Sequence, residues 1–314
     1  MSNVLVAQSV EQSRPVRLVG RPRPGEAIIR GLLVACGWFV LATTIAMLGF
    51  LARTGIRGLS EVGFGTIFAS DTWKPEAGSF GGVALIVGTF ATALGAIALG
   101  AAPAVLAAVW LTEFASDSVR RSYRRVMEVA SAVPSVVYGW LALIYLVPIF
   151  ERLAHLIKGE DAPVTGEGIA ASAFLLAVMI APTVLLLSLD ALSRVPRPLR
   201  DASAALGASP WQTAFSVSVP YGWRGLLVAI FFGFARAAGE TMAVQMVIGG
   251  ARRLPRDFLF SPTTTISAQI VMDMQNARPG TPENDVLYSM ALVLLTVSIA
   301  VVLVTRALAR GQAQ

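Results

Sequence analysis

Six apolar runs separated by polar segments set the pattern of the chain, at residues 31–51, 82–110, 126–150, 168–189, 219–249 and 286–308. Each reaches the roughly 20 residues that a helix needs to cross the hydrocarbon core of a bilayer, so the pattern predicts about six transmembrane helices in an all-α integral membrane protein. The second and fifth runs are longer than a crossing requires and carry Pro103 and Gly233, which predicts a tilt or a bend in each. Ahead of the first run stand Arg14, Arg17, Arg21, Arg23 and Arg30, without a short apolar core and small-residue cleavage site of their own. Residues 1–30 therefore read as a cytoplasmic tail and 31–51 as an uncleaved anchor. Residues 82–308 form a core of five further spans, interrupted by a polar link at 194–220.

Composition agrees with lipid as the solvent. The chain is 55% hydrophobic and 14% charged with a mean hydropathy of +0.68, more apolar surface than one soluble core of 314 residues normally buries. A net charge of +6 would suggest nucleic acid in a soluble domain, but here the arginines lie between apolar spans, so no nucleic-acid partner is expected. Fifteen of the 25 Lys and Arg residues fall in the tail and the segments expected on the same side as it, which predicts both termini in the cytoplasm. The single cysteine, Cys36, lies in an apolar run and cannot form an intrachain disulfide.

Two places carry candidate chemistry. Arg236 lies inside the fifth run, where a cation costs at least about 2.5 kcal/mol and normally faces the bundle interior or water. Glu240 follows four residues later, a spacing that on one helix lets the two pair. Gly222, Gly225, Ala229 and Gly233 continue that face as a small-residue seam. The pair can be a structural salt bridge or the charged lining of an anion path. The second place is the link at 194–220. Pro196 and Pro198 close the helix before it, 199–206 reads as a short helix with Asp201 in its first turn, and Gly207 ends it. Ser209, Pro210 and Gln212 fit a new start, as N-cap, first helical residue and capping-box partner. The alanines at 202, 204 and 205 give this knob a smooth surface that suits either a docking site or a plain connector.

The run Asp201-Ala-Ser-Ala-Ala-Leu-Gly207 followed by Val219-Pro220 resembles the EAA loop of ABC importer permeases, with Asp201 for the usual Glu, Ser203 for the second Ala and Val219 for Leu. Arg236-Ala-Ala-Gly-Glu-Thr-Met-Ala-Val244 resembles the RAxGETMAV signature of PstC-type phosphate permeases. Trp73-Lys-Pro75, Phe80-Gly81, Gly88-Thr89 and Pro134-Ser-Val-Val-Tyr-Gly139 agree with the same family, so the likeness covers about 73–304. The resemblance implies a type I ABC importer permease bundle of the MetI-like kind. It implies Arg236, Glu240 and Thr241 on the substrate path, and Leu199, Asp201, Ala202, Ala205, Leu206 and Gly207 in the loop that couples to the ATPase. It also implies partners: a PstA-like second permease, two PstB-like ATP-binding subunits, a PstS-like extracytoplasmic phosphate-binding protein, and membrane lipid.

With Lys74 and Lys158 as the two lysines, neither in a GxxxxGK[ST] pattern, no phosphate-binding P-loop exists here, so ATP hydrolysis is expected in separate subunits and no cofactor in this one. A permease for sulfate or molybdate shares the same plan. A secondary transporter would more often show inverted repeats, and a membrane enzyme a catalytic constellation. Glu128 and Asp190 are expected near inner span ends, His155 in an outer loop beside Glu151, and the long outer segment 250–285 against the binding protein.

Overall fold

The computed structural model describes residues 24–160 and 162–310, so most of the arginine-bearing tail expected at 1–30 lies outside the described residues. Among the described residues, six helices are long and apolar enough to span a membrane: Ile28–Val62, Val83–Glu113, Ser135–Lys158, Ile169–Ser193, Pro210–Gly239 and Pro282–Leu308. The chain divides into two compact units, Met1–Phe50 and Leu51–Gln314. In the first, Leu33, Trp38 and Phe39 are exposed, an apolar surface for which lipid is the fitting solvent.

Within the second unit the fourth span is the hub, packed between the second and the fifth. Small residues make the close approach possible. Gly95 faces the Ala173 side chain, and a Cβ on Gly100 would collide with the backbone of Ala177. Gly233 faces Val184 and Gly222 faces Leu192, so the seam expected on the fifth span is a packing surface against the fourth. Around it Ala96, Ala104, Ala108, Leu176, Ile180 and Leu185 are buried. The last span packs on the second half of the first helix: Ser289 Oγ donates to the Gly55 carbonyl at 2.7 Å, and Gly58 leaves room for the Asp285 backbone. Arg57 lies 2.8 Å from Glu61 and 3.3 Å from Asp285, which explains why the first helix runs to Val62, past the end expected at residue 51.

Three spans contain a π-helical turn, Ile97–Ala101, Ala142–Leu146 and Ala214–Ser218. Each ends two residues before a proline, Pro103, Pro148 or Pro220. A proline ring clashes with the carbonyl four residues back and removes a donor, and a widened turn absorbs both within a continuous helix. The irregularity expected at Pro103 takes this form.

The third span begins later than the apolar pattern suggests. Residues 126–132 belong to a separate amphipathic helix, Asp117–Ala132, in which no residue is buried, and the span itself is Ser135–Lys158. Val133 and Pro134 adopt extended backbone between them, as a residue before proline prefers. Arg120 ties this helix to the second span by donating to the carbonyls of Leu111 at 2.9 Å and Thr112 at 3.0 Å. Arg124 ties it to the fourth, 2.9 Å from Asp190, and also meets Glu128 at 3.2 Å, which raises the guanidinium pKa further. The two carboxylates thus anchor a helix. His155, expected in a loop, sits in the last turn of the third span, its Nδ1 3.4 Å from the Gly159 carbonyl.

Part of the segment 250–285 folds into the bundle. Residues 263–265 and most of the helix Ile266–Met274 are buried. Buried Asp273 accepts from Trp73 Nε1 at 2.9 Å and Gln269 Nε2 at 2.7 Å and pairs with Arg252 at 2.6 Å, three partners that offset the cost of burying its charge. The exposed portion includes Arg253, Arg256 and Phe258. Asp257 holds it down by pairing with Lys158 at 2.7 Å and by accepting from the backbone N–H groups of Leu259 and Phe260. The Lys158 hydrogen bond is the chief cause that lowers the Asp257 pKa. A lowered carboxylate pKa contributes stability above the ordinary value of about 3.9, lost as pH falls through the lower folded value. Amide exchange across 253–261, corrected for intrinsic rates, is therefore expected to be slow at neutral pH and faster in strong acid, with Asp257→Asn fast already at neutral pH. Equal rates in wild type and variant would remove this anchor.

Candidate functional site

The fifth span ends at Gly239, and Glu240 follows in extended backbone. This corrects the expectation of one helix through 249 and of an Arg236 to Glu240 pair, because the break turns the two side chains apart. The Glu240 carboxylate instead accepts from the Ala243 N–H at 3.4 Å, at the start of the short helix Met242–Gln245. Its carbonyl accepts from Ser267 Oγ at 2.9 Å. Thr241 Oγ1 donates to the Gly239 carbonyl at 3.2 Å, so that proton is committed to the turn. On the other side Gly139 of the third span lies so close that a Cβ there would meet Ala243 Cα. Glu240 and Thr241 thus shape a turn held between the third span and the N-terminal end of the helix Ile266–Met274. That helix is capped by Thr265 Oγ1, which accepts from Ala268, and by Thr89 Oγ1, which accepts from Ile266 at 2.9 Å.

Arg236 is exposed, outside the buried seam, with its Nη1 donating to Thr183 Oγ1 at 3.0 Å. Among the described residues it forms no ion pair. A guanidinium with one neutral partner keeps several donors and its full charge for an anion. Thr183 was not visible as a site residue in the sequence; its place beside Pro182 within the fourth span was the available signal.

In the polar link the first short helix is Arg197–Ala205, beginning two residues before the expected start, so Asp201 falls in the second turn. Gly207 has φ +80°, a left-handed conformation that glycine adopts without strain. Ser209 and Gln212 form the reciprocal capping box, the Ser209 N–H donating to Gln212 Oε1 at 2.8 Å and the Gln212 N–H to Ser209 Oγ at 3.3 Å. The fifth span therefore starts at Pro210, ahead of the expected 219. Asp201, Ala202, Ala205 and Gly207 are all exposed, as are Leu199, Leu206 at 90% and Trp211 at 63%. Apolar side chains are thus left open on a polar link.

The knob is fixed to the bundle from behind. Arg200 Nη2 lies 3.0 Å from Glu113 Oε1 at the end of the second span and donates to the Leu192 carbonyl of the fourth at 3.0 Å. Its Nε reaches Ser218 Oγ at 3.4 Å. Ser203 and Thr213 hydroxyls meet at 2.9 Å and join the two short helices. Sequence reasoning did not identify this fastening, although a glutamate closing a long apolar span was a cue.

Comparison with known proteins places these features in a family. Residues 104–314 match the binding-protein-dependent transport system inner membrane component family. The chain is 34% identical over 311 residues to the probable ABC transporter permease protein YqgH of Bacillus subtilis (strain 168), with 97% of this chain and 96% of that one covered. It is 30% identical to the phosphate transport system permease protein PstC of Pasteurella multocida (strain Pm70), with 86% and 87% covered. Its fold is similar to that of a chain in the crystal structure of a bacterial alginate ABC transporter in complex with an alginate pentasaccharide-bound periplasmic protein, with a TM-score of 0.61, 15% identity, and 90% and 94% of the two chains covered. With its six spans and exposed polar link, this multi-pass inner membrane protein belongs to the binding-protein-dependent transport system inner membrane components and has the type I ABC importer permease fold.

Proposed function

We propose that the chain is a phosphate permease subunit that forms the translocation path with a second, PstA-like permease. The observation that carries this reading is Arg236, exposed near the end of the fifth span without a carboxylate partner among the described residues. A planar guanidinium can give two parallel hydrogen bonds to phosphate oxygens. Glu240 and Thr241 contribute by shaping the turn that follows it. Similarity to PstC proteins over most of the chain supports phosphate as the anion.

Phosphate is received from a PstS-like binding protein on the outer side, and two PstB-like subunits hydrolyse ATP on the inner side. Both termini lie in the cytoplasm, as the distribution of arginines favours. The surface of Leu199, Asp201, Ala202, Ala205, Leu206 and Gly207 meets an ATPase subunit, and Arg200 passes its displacement to the second and fourth spans. Such a lever suits switching between two packed states of the bundle.

The test is uptake of radiolabelled phosphate, sulfate and molybdate in cells lacking the chain and in the same cells with it restored. Phosphate uptake alone is expected to fall and to return on restoration. Loss of sulfate or molybdate uptake with phosphate unaffected would keep the architecture and replace the substrate.

A further inference from the structure

The amphipathic helix Asp117–Ala132 has a charged and an apolar surface that neither the path nor the coupling knob uses. Arg120, Arg121 and Arg124 line a cavity of about 130 Å³, closed by Thr112, Leu189 and Ser193. The cavity sits where the second and fourth spans end, at Glu113 and Ser193. Its wall is largely apolar, and the guanidinium groups of the three arginines are not equally engaged. Arg120 spends Nε and Nη2 on two carbonyls, and Arg124 is paired with Asp190 and Glu128. Arg121 is exposed, and its side chain has no hydrogen-bond or ion-pair partner among the described residues. The helix carries four arginines against Asp117 and Glu128, leaving a net charge of +2. Val119, Tyr123, Val126 and Val129, three or four residues apart along one stripe, are exposed as well.

We infer that the exposed Arg121 at this cavity binds the phosphodiester headgroup of an anionic phospholipid, with the helix lying in the membrane interface. Charge complementarity selects an anion, and the position at the ends of two spans places it at headgroup depth. The apolar stripe then distinguishes a lipid from free phosphate. An interfacial helix buries such a stripe at the boundary between headgroups and acyl chains, whereas a small anion covers none of it.

The experiment is native mass spectrometry of the complex purified in detergent with all its subunits, after incubation with phosphatidylglycerol or phosphatidylcholine. Wild type is expected to keep one phosphatidylglycerol per copy of this chain in preference to phosphatidylcholine. Arg121→Gln should weaken that retention about fivefold, on the scale of one arginine at a membrane surface. Arg125→Gln, which removes the same charge from the same helix outside the cavity, should keep the bound lipid. Equal retention of the two lipids by wild type overturns the inference. An equal loss in both variants, displacement by millimolar inorganic phosphate, or lipid binding only after the ATPase subunits are stripped away would do so too. Because retention is read without transport, this result is separable from the identity of the transported anion.

Discussion

Arg200→Ala is expected to lower the amount of assembled protein and, in what does assemble, to disconnect ATP hydrolysis from transport. The Glu113 side chain is 7% exposed, and Arg200 is the cation beside it. Removing one member of a buried pair leaves an uncompensated charge, at a cost of about 3–5 kcal/mol. The lower end applies here, since the contact is an ion pair without an aligned hydrogen bond on Glu113 Oε1. The same substitution frees the Leu192 carbonyl and loosens the knob from the fourth span. Combining Arg200→Met with Glu113→Gln removes both charges and should restore much of the stability, but not the fastening. The measurement is phosphate transported per ATP hydrolysed in proteoliposomes, alongside the amount of complex. A single Arg200→Ala variant with wild-type yield and stoichiometry would dismiss the lever.

Arg236→Ala is expected to assemble normally and to lose nearly all phosphate uptake. The side chain is exposed and gives up one hydrogen bond to Thr183, so little stability depends on it. A hydrogen bond to a charged group contributes about 1.5–3 kcal/mol. Losing one or two such bonds to the anion lowers the uptake rate by about ten-fold to a hundred-fold or more. Arg236→Lys keeps the charge without the planar fork and should fall between. Initial rates of labelled phosphate uptake, normalised to the membrane level of the chain, decide the matter. Normal uptake in Arg236→Ala removes the residue from the path.

Six spans were legible because each is a long, predominantly apolar run, and so was the capping box of Ser209 and Gln212, because every atom in it lies within four residues. Both main errors arose where the apolar pattern outran the backbone. Val126 and Val129 extend the third run backward, although Pro134 ends the helix they belong to. Met242, Ala243 and Val244 extend the fifth run forward, although Gly239 ends it, and the supposed pair of Arg236 with Glu240 depended on that continuity. The remaining partners are remote in sequence. Thr183 is 53 residues from Arg236, and Trp73 is 200 from Asp273. Spacing along the chain carries no information about such contacts, which the packing of spans alone creates.

The π turns change what a helical face means in this bundle. One extra residue rotates everything beyond it by about 100°. Before the turn the second span buries Ala84, Leu85, Gly88, Thr89, Thr92, Ala93 and Ala96; after it, Ala104, Ala108, Val109 and Leu111. A single uninterrupted period does not join the two sets. Gly95 before the turn faces Ala173 and Gly100 within it faces Ala177, both on the fourth span. Rotating the later set back by that angle lays most of it over the earlier one, so the widened turn acts as a phase correction that keeps both halves of one continuous rod turned to the same neighbour, the fourth span.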